Sequence, residues 1–253
     1  MTRFRGFLLH FAISAAVVGV ALAVIYFVWY PDPYFRIIGT WEVVRVMVGV
    51  DLVLGPLLTL IFYKPGKPKI RLDLSIIAVV QLAALIYALT TIYKERPAYL
   101  VFAVDRLNLL ADRDVERDRV PEQILAAAGA GPLRVVARLP EDPVERSELM
   151  FSTLAGGKDI EQLPRYWVSW EQGSDDPRQR LNDVAALREA PAAAVAELDA
   201  LLARTGLADA DVAFLPVVTP RLTARSLVLE RRTLEIVGVV TTDPWALPGY
   251  PPQ

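Results

Sequence analysis

Asp51 is the side chain best placed to do chemistry in an apolar setting. The stretch from Trp41 to Tyr63 carries three ionisable residues, Glu42, Arg45 and Asp51, and a charge at the centre of a bilayer costs about 2.5–3.5 kcal/mol even on lenient insertion scales. Asp51 follows Glu42 by nine residues, which at ~1.5 Å per helical residue places it about 13 Å inside a ~30 Å hydrocarbon layer. So short a side chain cannot reach water from there. It must be protonated, hydrogen-bonded to another helix, or turned towards a polar cavity. Glu42 and Arg45, three apart beside an aromatic boundary, predict a local ion pair reaching the interface.

A regular helix turns 100° per residue, so Val44, Gly55 and Leu58 share the face of Asp51. Gly55 lets another helix come close, and Pro56 removes one backbone hydrogen bond. Gln81, in the next apolar stretch, is a candidate internal partner for Asp51. Two readings follow: Asp51 and Gln81 fasten the chain's own spans together, or this face receives an outside helix. His10, the only histidine, sits near one end of the first apolar stretch and reads as an interfacial side chain.

Elsewhere, the residue types that catalysis needs are missing from the expected patterns. There is no cysteine, which removes thiol nucleophiles, thiolate metal sites and disulfides. No Gly-x-Ser-x-Gly elbow, metal-ligand spacing or dinucleotide fingerprint occurs. Ala155, Gly156, Gly157 and Lys158 are not a phosphate loop, because an earlier glycine is missing and Asp159 follows the lysine. Asp105, Asp175 and Asp176 offer carboxylates, but acidic residues after strands and before helices are chiefly turn formers and caps. The expectation is a protein without catalytic residues, metal or cofactor, and not an enzyme.

The elements that must hold Asp51 are three membrane spans, expected at 6–30, 41–63 and 74–93 within a membrane region of residues 1–93. The first reads as an uncleaved anchor, since it runs into Tyr26, Phe27, Trp29, Tyr30 and Pro31 and lacks a small-residue cleavage site. Trp29, Tyr30, Tyr34, Phe35 and Trp41 suggest an interfacial belt. Through Tyr93 there are eight basic and four acidic side chains, a net +4, and the remaining 19 basic and 25 acidic residues give −6. A basic, apolar half suits a bilayer, an acidic half suits water, and neither suits nucleic acid. Arg3 and Arg5, with the loop Lys64 to Arg71, place the N-terminus and residues 64–73 in the cytoplasm of a bacterial inner membrane. Everything after residue 94 then lies in the periplasm.

Residues 94–243 read as one periplasmic α+β domain with an antiparallel C-terminal strand cluster. The pattern gives one or two strands from Ala98 to Leu110, a helix from Pro121 to Ala128 stopped by Gly129 and Gly131, a strand from Leu133 to Leu139, and a helix from Pro143 to Leu154. The aromatic run Tyr166 to Trp170 suits core packing, and Asp175, Asp176 and Pro177 begin another helix. A helix from Pro191 to Arg204 and strands at 212–218, 224–230 and 234–240 follow, the last two as a hairpin. The Pro-rich tail, 244–253, should be extended.

Three stretches resemble the type IV pilin accessory proteins, the TfpX/TfpZ group. They are VGVDLVLGPLLTL at Val48 to Leu60, RPAYLVFAVDR at Arg96 to Arg106, and the run from Leu229 to Trp245 with RRTLEIVGVV and TTDPW. The resemblance marks Pro97, Asp105, Arg106, Pro244 and Trp245 as motif positions. It implies three spans, a periplasmic domain and a chaperone-like role in stabilising or delivering a cognate major pilin, with no catalysis. Its partners would be the pilin's transmembrane helix and head domain, inner-membrane pilus assembly proteins, and the lipid bilayer. On this reading the pilin helix packs on the Gly55 and Pro56 face, where Arg45 neutralises its buried carboxylate and Asp51 accepts a hydrogen bond. A glycine expected in the last hairpin turn is replaced here by Arg231, Arg232, Thr233 and Leu234.

Two other functions fit the same chain. One is a membrane-anchored periplasmic ligand sensor, which would need a separate transmitter. The other is an accessory subunit of a glycosyl or lipid transferase using Asp51 or the acidic loops, for which no donor-binding signature is present.

Overall fold

A computed structural model describes residues 2–63, 70–126, 131–219 and 224–248. The basic loop from Lys64 to Lys69, the expected stop at Gly129 and the end of the tail lie outside these residues. The chain divides into two compact units, Met1–Arg96 and Pro97–Gln253.

The first unit holds three helices long and apolar enough to cross a membrane: Arg3–Trp29, Trp41–Phe62 and Leu72–Lys94. The shortest has 22 residues and is about 33 Å long, enough for a ~30 Å core. Thr2 caps the first helix, its hydroxyl accepting from the Arg5 N–H. A short helix, Tyr34–Ile38, links the first two spans and ends at Gly39, whose φ of +69° favours glycine. Ile25, Val44, Met47, Leu85 and Ile92 form the apolar centre of the bundle.

The expected aromatic belt is mostly turned inward. Tyr30 is buried and donates its hydroxyl to the Ile92 carbonyl at 2.6 Å. Tyr34 is buried too, and Trp29 packs edge-on to Tyr93. Trp41 alone of the five is largely exposed. Tyr30 has a hydroxyl to satisfy, and the Ile92 carbonyl near the end of the third span satisfies it.

The second unit is built on a mixed sheet. Its strands are β1 (Pro97–Ala103), β2 (Arg106–Ala111), β3 (Leu133–Ala137), β4 (Trp167–Ser169), β5 (Asn182–Asp183), β6 (Val212–Val218), β7 (Ala224–Glu230) and β8 (Ile236–Val240). The order is β4-β3-β1-β2-β6-β7-β8, with β5 paired to β6. β6, β7 and β8 are antiparallel, while β1 with β3 and β2 with β6 are parallel. Alternate residues of β1 serve opposite faces. Tyr99, Val101 and Ala103 join a cluster with Val135, Leu149 and Trp167, while Leu100 and Phe102 are buried on the other face. Helix Ala192–Thr205, closed by Gly206 at φ +73°, packs Leu198 and Leu201 near Phe214, Val228 and Val240.

Three local expectations change. The last strand begins at Ile236, because Leu234 is buried in a turn at φ +60° and itself takes the left-handed conformation expected of a glycine. Pro244–Ala246 forms a 3-10 turn, where Asp243 accepts from the Trp245 N–H at 3.0 Å and Leu247 is buried, so this part of the tail belongs to the domain. The helix expected from Pro121 to Ala128 runs over Glu122–Leu125 and gives way to a turn at Ala126.

Candidate functional site

The second span is not a uniform α-helix. Residues Gly49–Leu54 form a π-helical turn, in which the Gly55 N–H donates to the Val50 carbonyl five residues back. That leaves the Asp51 carbonyl without its α-helical donor. Its π-helical donor would be residue 56, a proline with no N–H. The third span supplies the missing proton: Gln81 Nε2 donates to the Asp51 carbonyl at 3.3 Å. This works because residue 55 is glycine. A Cβ there would stand 1.9 Å from Gln81 Nε2.

Asp51, Gly55, Pro56 and Gln81 therefore form one arrangement inside the bundle. The close approach that Gly55 permits is made by Gln81. The π turn also shifts the helical phase, so that Thr59 is buried while Leu58 is only half-buried. Thr59 Oγ1 lies 2.5 Å from His10 Nδ1, a hydrogen bond between the first and second spans whose direction follows the tautomer. His10, expected to be only interfacial, is thus a fastener. Nothing in the sequence spacing pairs residues 10 and 59. Glu42 and Arg45 are both exposed and, among the described residues, make no ion pair with each other. With no neighbour packed over them, their side chains are not held together.

Asp51 is buried but lies at the wall of two grooves. One, of about 410 Å³, runs between the second and third spans and is lined by Glu42, Val46, Met47, Asp51, Tyr87 and Thr91. The other, about 200 Å³, is lined by His10, Ser14, Asp51, Gln81 and Leu85. The first is the wider and the more apolar in its lining. Val46 and Tyr87 at its rim are among the most exposed side chains of the spans.

In the second unit, two motif stretches more than a hundred residues apart converge. The guanidinium of Arg106 lies 5.0 Å from the ring centre of Trp245, and Arg106 Nε donates to Asp105 at 2.8 Å. They flank a cavity of about 570 Å³. Val104 at its mouth is 57% exposed and has φ +61°, a costly conformation for a β-branched residue. Asn108, 7% exposed, faces the cavity from β2, its amide only 3.5 Å from the Val101 carbonyl. Trp245 Nε1 is buried without a partner among the described residues. Glu161 lines the same cavity. Burial pushes its carboxyl up from the usual range; its own backbone N–H and Arg106 pull it down, and Asp159 adds to the rise.

Asn108 and Glu161 were not singled out from the sequence. Asn108 had a legible signal, a lone amide in an apolar strand. Glu161 had none, being an acidic residue in a turn. Pro97 is buried where β1 starts opposite Ala111, and Pro244 is buried under the last turn. Asp176 ion-pairs with Arg138 at 2.8 Å and does not cap a helix. Among the described residues no cluster of His, Cys, Asp or Glu could hold a metal ion.

A model of the fimbrial assembly protein FimB matches residues 1–39. The fimbrial assembly protein of serogroup I from Dichelobacter nodosus is 29% identical over 245 residues, 94% of this chain and 95% of the relative. That of serogroups C1 and C2 is 37% identical over 116 residues, 45% of this chain and 88% of the relative. The chain belongs to the fimbrial assembly protein family. Similarity to the serogroup I member of the family runs through both units, so the spans and the mixed-sheet domain are matched together. No solved structure matches the chain.

Proposed function

We propose that this fimbrial assembly protein acts in pilus assembly as a non-enzymatic, inner-membrane accessory of the pilin-chaperone kind, the TfpX/TfpZ group. The N-terminus and residues 64–73 face the cytoplasm and the second unit faces the periplasm. The partner is the major type IV pilin, whose hydrophobic helix lies in the groove between the second and third spans while its head meets the domain.

The groove lined by Val46, Met47 and Tyr87 with Asp51 in its wall carries this reading. It is apolar enough for a helix in lipid. Its polar groups, Glu42 and Thr91 besides Asp51, offer hydrogen bonds to a polar group on that helix, which are worth about 0.6–2 kcal/mol in membranes. The groove takes the place of the Gly55 face, which Gln81 fills.

Photoreactive residues placed at Val46 and Tyr87 in native membranes should capture the pilin helix, identified by mass spectrometry. Val20, exposed on the first span, is the control position. Equal capture from Val20, or capture of nothing but lipid and this chain from Val46 and Tyr87, would overturn the groove as the pilin site.

A further inference from the structure

The cavity in the mixed-sheet domain has a specific imbalance. Arg106, the cation in its wall, is engaged by Asp105 and by the Trp245 ring. Glu161 forms no ion pair among the described residues. Arg106 acts on this carboxyl only through space and less than burial does. A desolvated carboxylate without a paired cation is costly, and an arriving cation relieves it. Around it are an aromatic ring, a buried and weakly bonded Asn108, and the apolar side chains of Ile160 and Val218. The mouth is held by a strained valine, and strain of this kind persists at ligand clamps when the surrounding structure over-determines it.

We propose that this cavity is a binding site for a peptide segment that inserts a lysine or arginine side chain against Glu161, with a neighbouring aliphatic side chain on Val104 and Ile160. The weakly bonded amide of Asn108 then faces the peptide backbone. A volume of about 570 Å³ whose lining mixes polar groups with Val104, Leu110, Ile160 and Val218 suits a side chain and its flanking residues better than a small free amine, which would leave the apolar part uncovered. The site is independent of the groove between the spans, and either can fail alone.

The test is affinity selection of a random heptapeptide phage library on the full-length protein in lipid nanodiscs, with empty nanodiscs as counter-selection. Peptides carrying Lys or Arg beside an aliphatic residue should be enriched at least fivefold. That enrichment should collapse on Glu161→Gln and weaken severalfold between low and high salt. Val104→Gly should raise the melting temperature by releasing the strain, yet lower the enrichment. Selection without a cation preference, no peptides above the empty nanodiscs, or retained enrichment in a folded Glu161→Gln protein would overturn the assignment. So would displacement of nothing but charge, seen as spermidine binding with no aliphatic preference. Should Glu161→Gln not fold, the salt dependence on the unaltered protein decides.

Discussion

Phe27, in the π-helical turn Ile25–Trp29 that ends the first span, is 74% exposed and Phe214 in β6 is fully buried, though both are phenylalanines within hydrogen-bonded elements. The two units put their apolar groups in opposite places. In the spans, Val20, Val79 and Tyr87 point outward while Ser14, Asp51 and Thr59 are buried. In the domain, Leu107, Val135 and Phe214 are buried and charged pairs such as Arg188 with Asp209 lie outside. Lipid supplies no donors or acceptors, so the spans turn their polar groups inward, where they hold helices together. Water drives the reverse arrangement.

The largest effect should separate the two phenylalanines. Phe214→Ala opens a cavity in the sheet core and should cost about 3–5 kcal/mol. Phe27→Ala, with little protein around it, should change stability by no more than about 0.5 kcal/mol. Urea unfolding of the full-length protein in nanodiscs, followed by tryptophan emission, measures both. A large loss from Phe27→Ala would show that this face of the first span is covered.

Next in size is the fastener in the second span. Gly55→Ala forces Gln81 off the Asp51 carbonyl, and such overpacking costs about 1–3 kcal/mol. Gln81→Ala alone loses the same hydrogen bond, worth about 0.6–2 kcal/mol in membranes. Because both substitutions break one contact, the double variant should be no less stable than the worse of the two singles. Additive losses in a thermal melt would mean that Gly55 and Gln81 act separately.

Much of this architecture can be read from the chain, but its polar contacts cannot. Three long apolar runs and the short apolar runs at 97–103, 212–218 and 224–230 are local signals of spans and strands. Asp51, Gly55, Pro56 and Gln81 were legible as a group because each breaks a local rule. Their arrangement was not legible, since a π turn changes which residues share a face and no periodicity announces it. The same holds for His10 with Thr59, and for Arg106 with Trp245: the partners are far apart in sequence, and folding alone brings them together. Glu161 was invisible because its importance lies in what surrounds it. The parallel pairing of β2 with β6, across the whole middle of the domain, also leaves no local trace.

The smallest effect concerns charge. In the domain a half-buried carboxylate and an exposed one should respond to pH in opposite senses. The folded state raises the Glu161 carboxyl above its ordinary value of 4.5, so folded protein holds this proton more tightly than unfolded protein does. Its contribution to stability is complete below about 4.5 and is lost as pH rises through the folded value. Arg188 holds the Asp209 carboxyl below its ordinary 3.8, so that contribution is present above 3.8 and disappears as pH falls. Asp209 is largely exposed, and its share is correspondingly small. Melting temperatures of the full-length protein from pH 3 to pH 8 should therefore decline less on the alkaline side in Glu161→Gln. In Asp209→Asn the fall on the acid side should shrink instead. If Glu161→Gln left the alkaline decline unchanged, Arg106 would already offset the burial of Glu161 in full, and an incoming cation would have nothing to relieve.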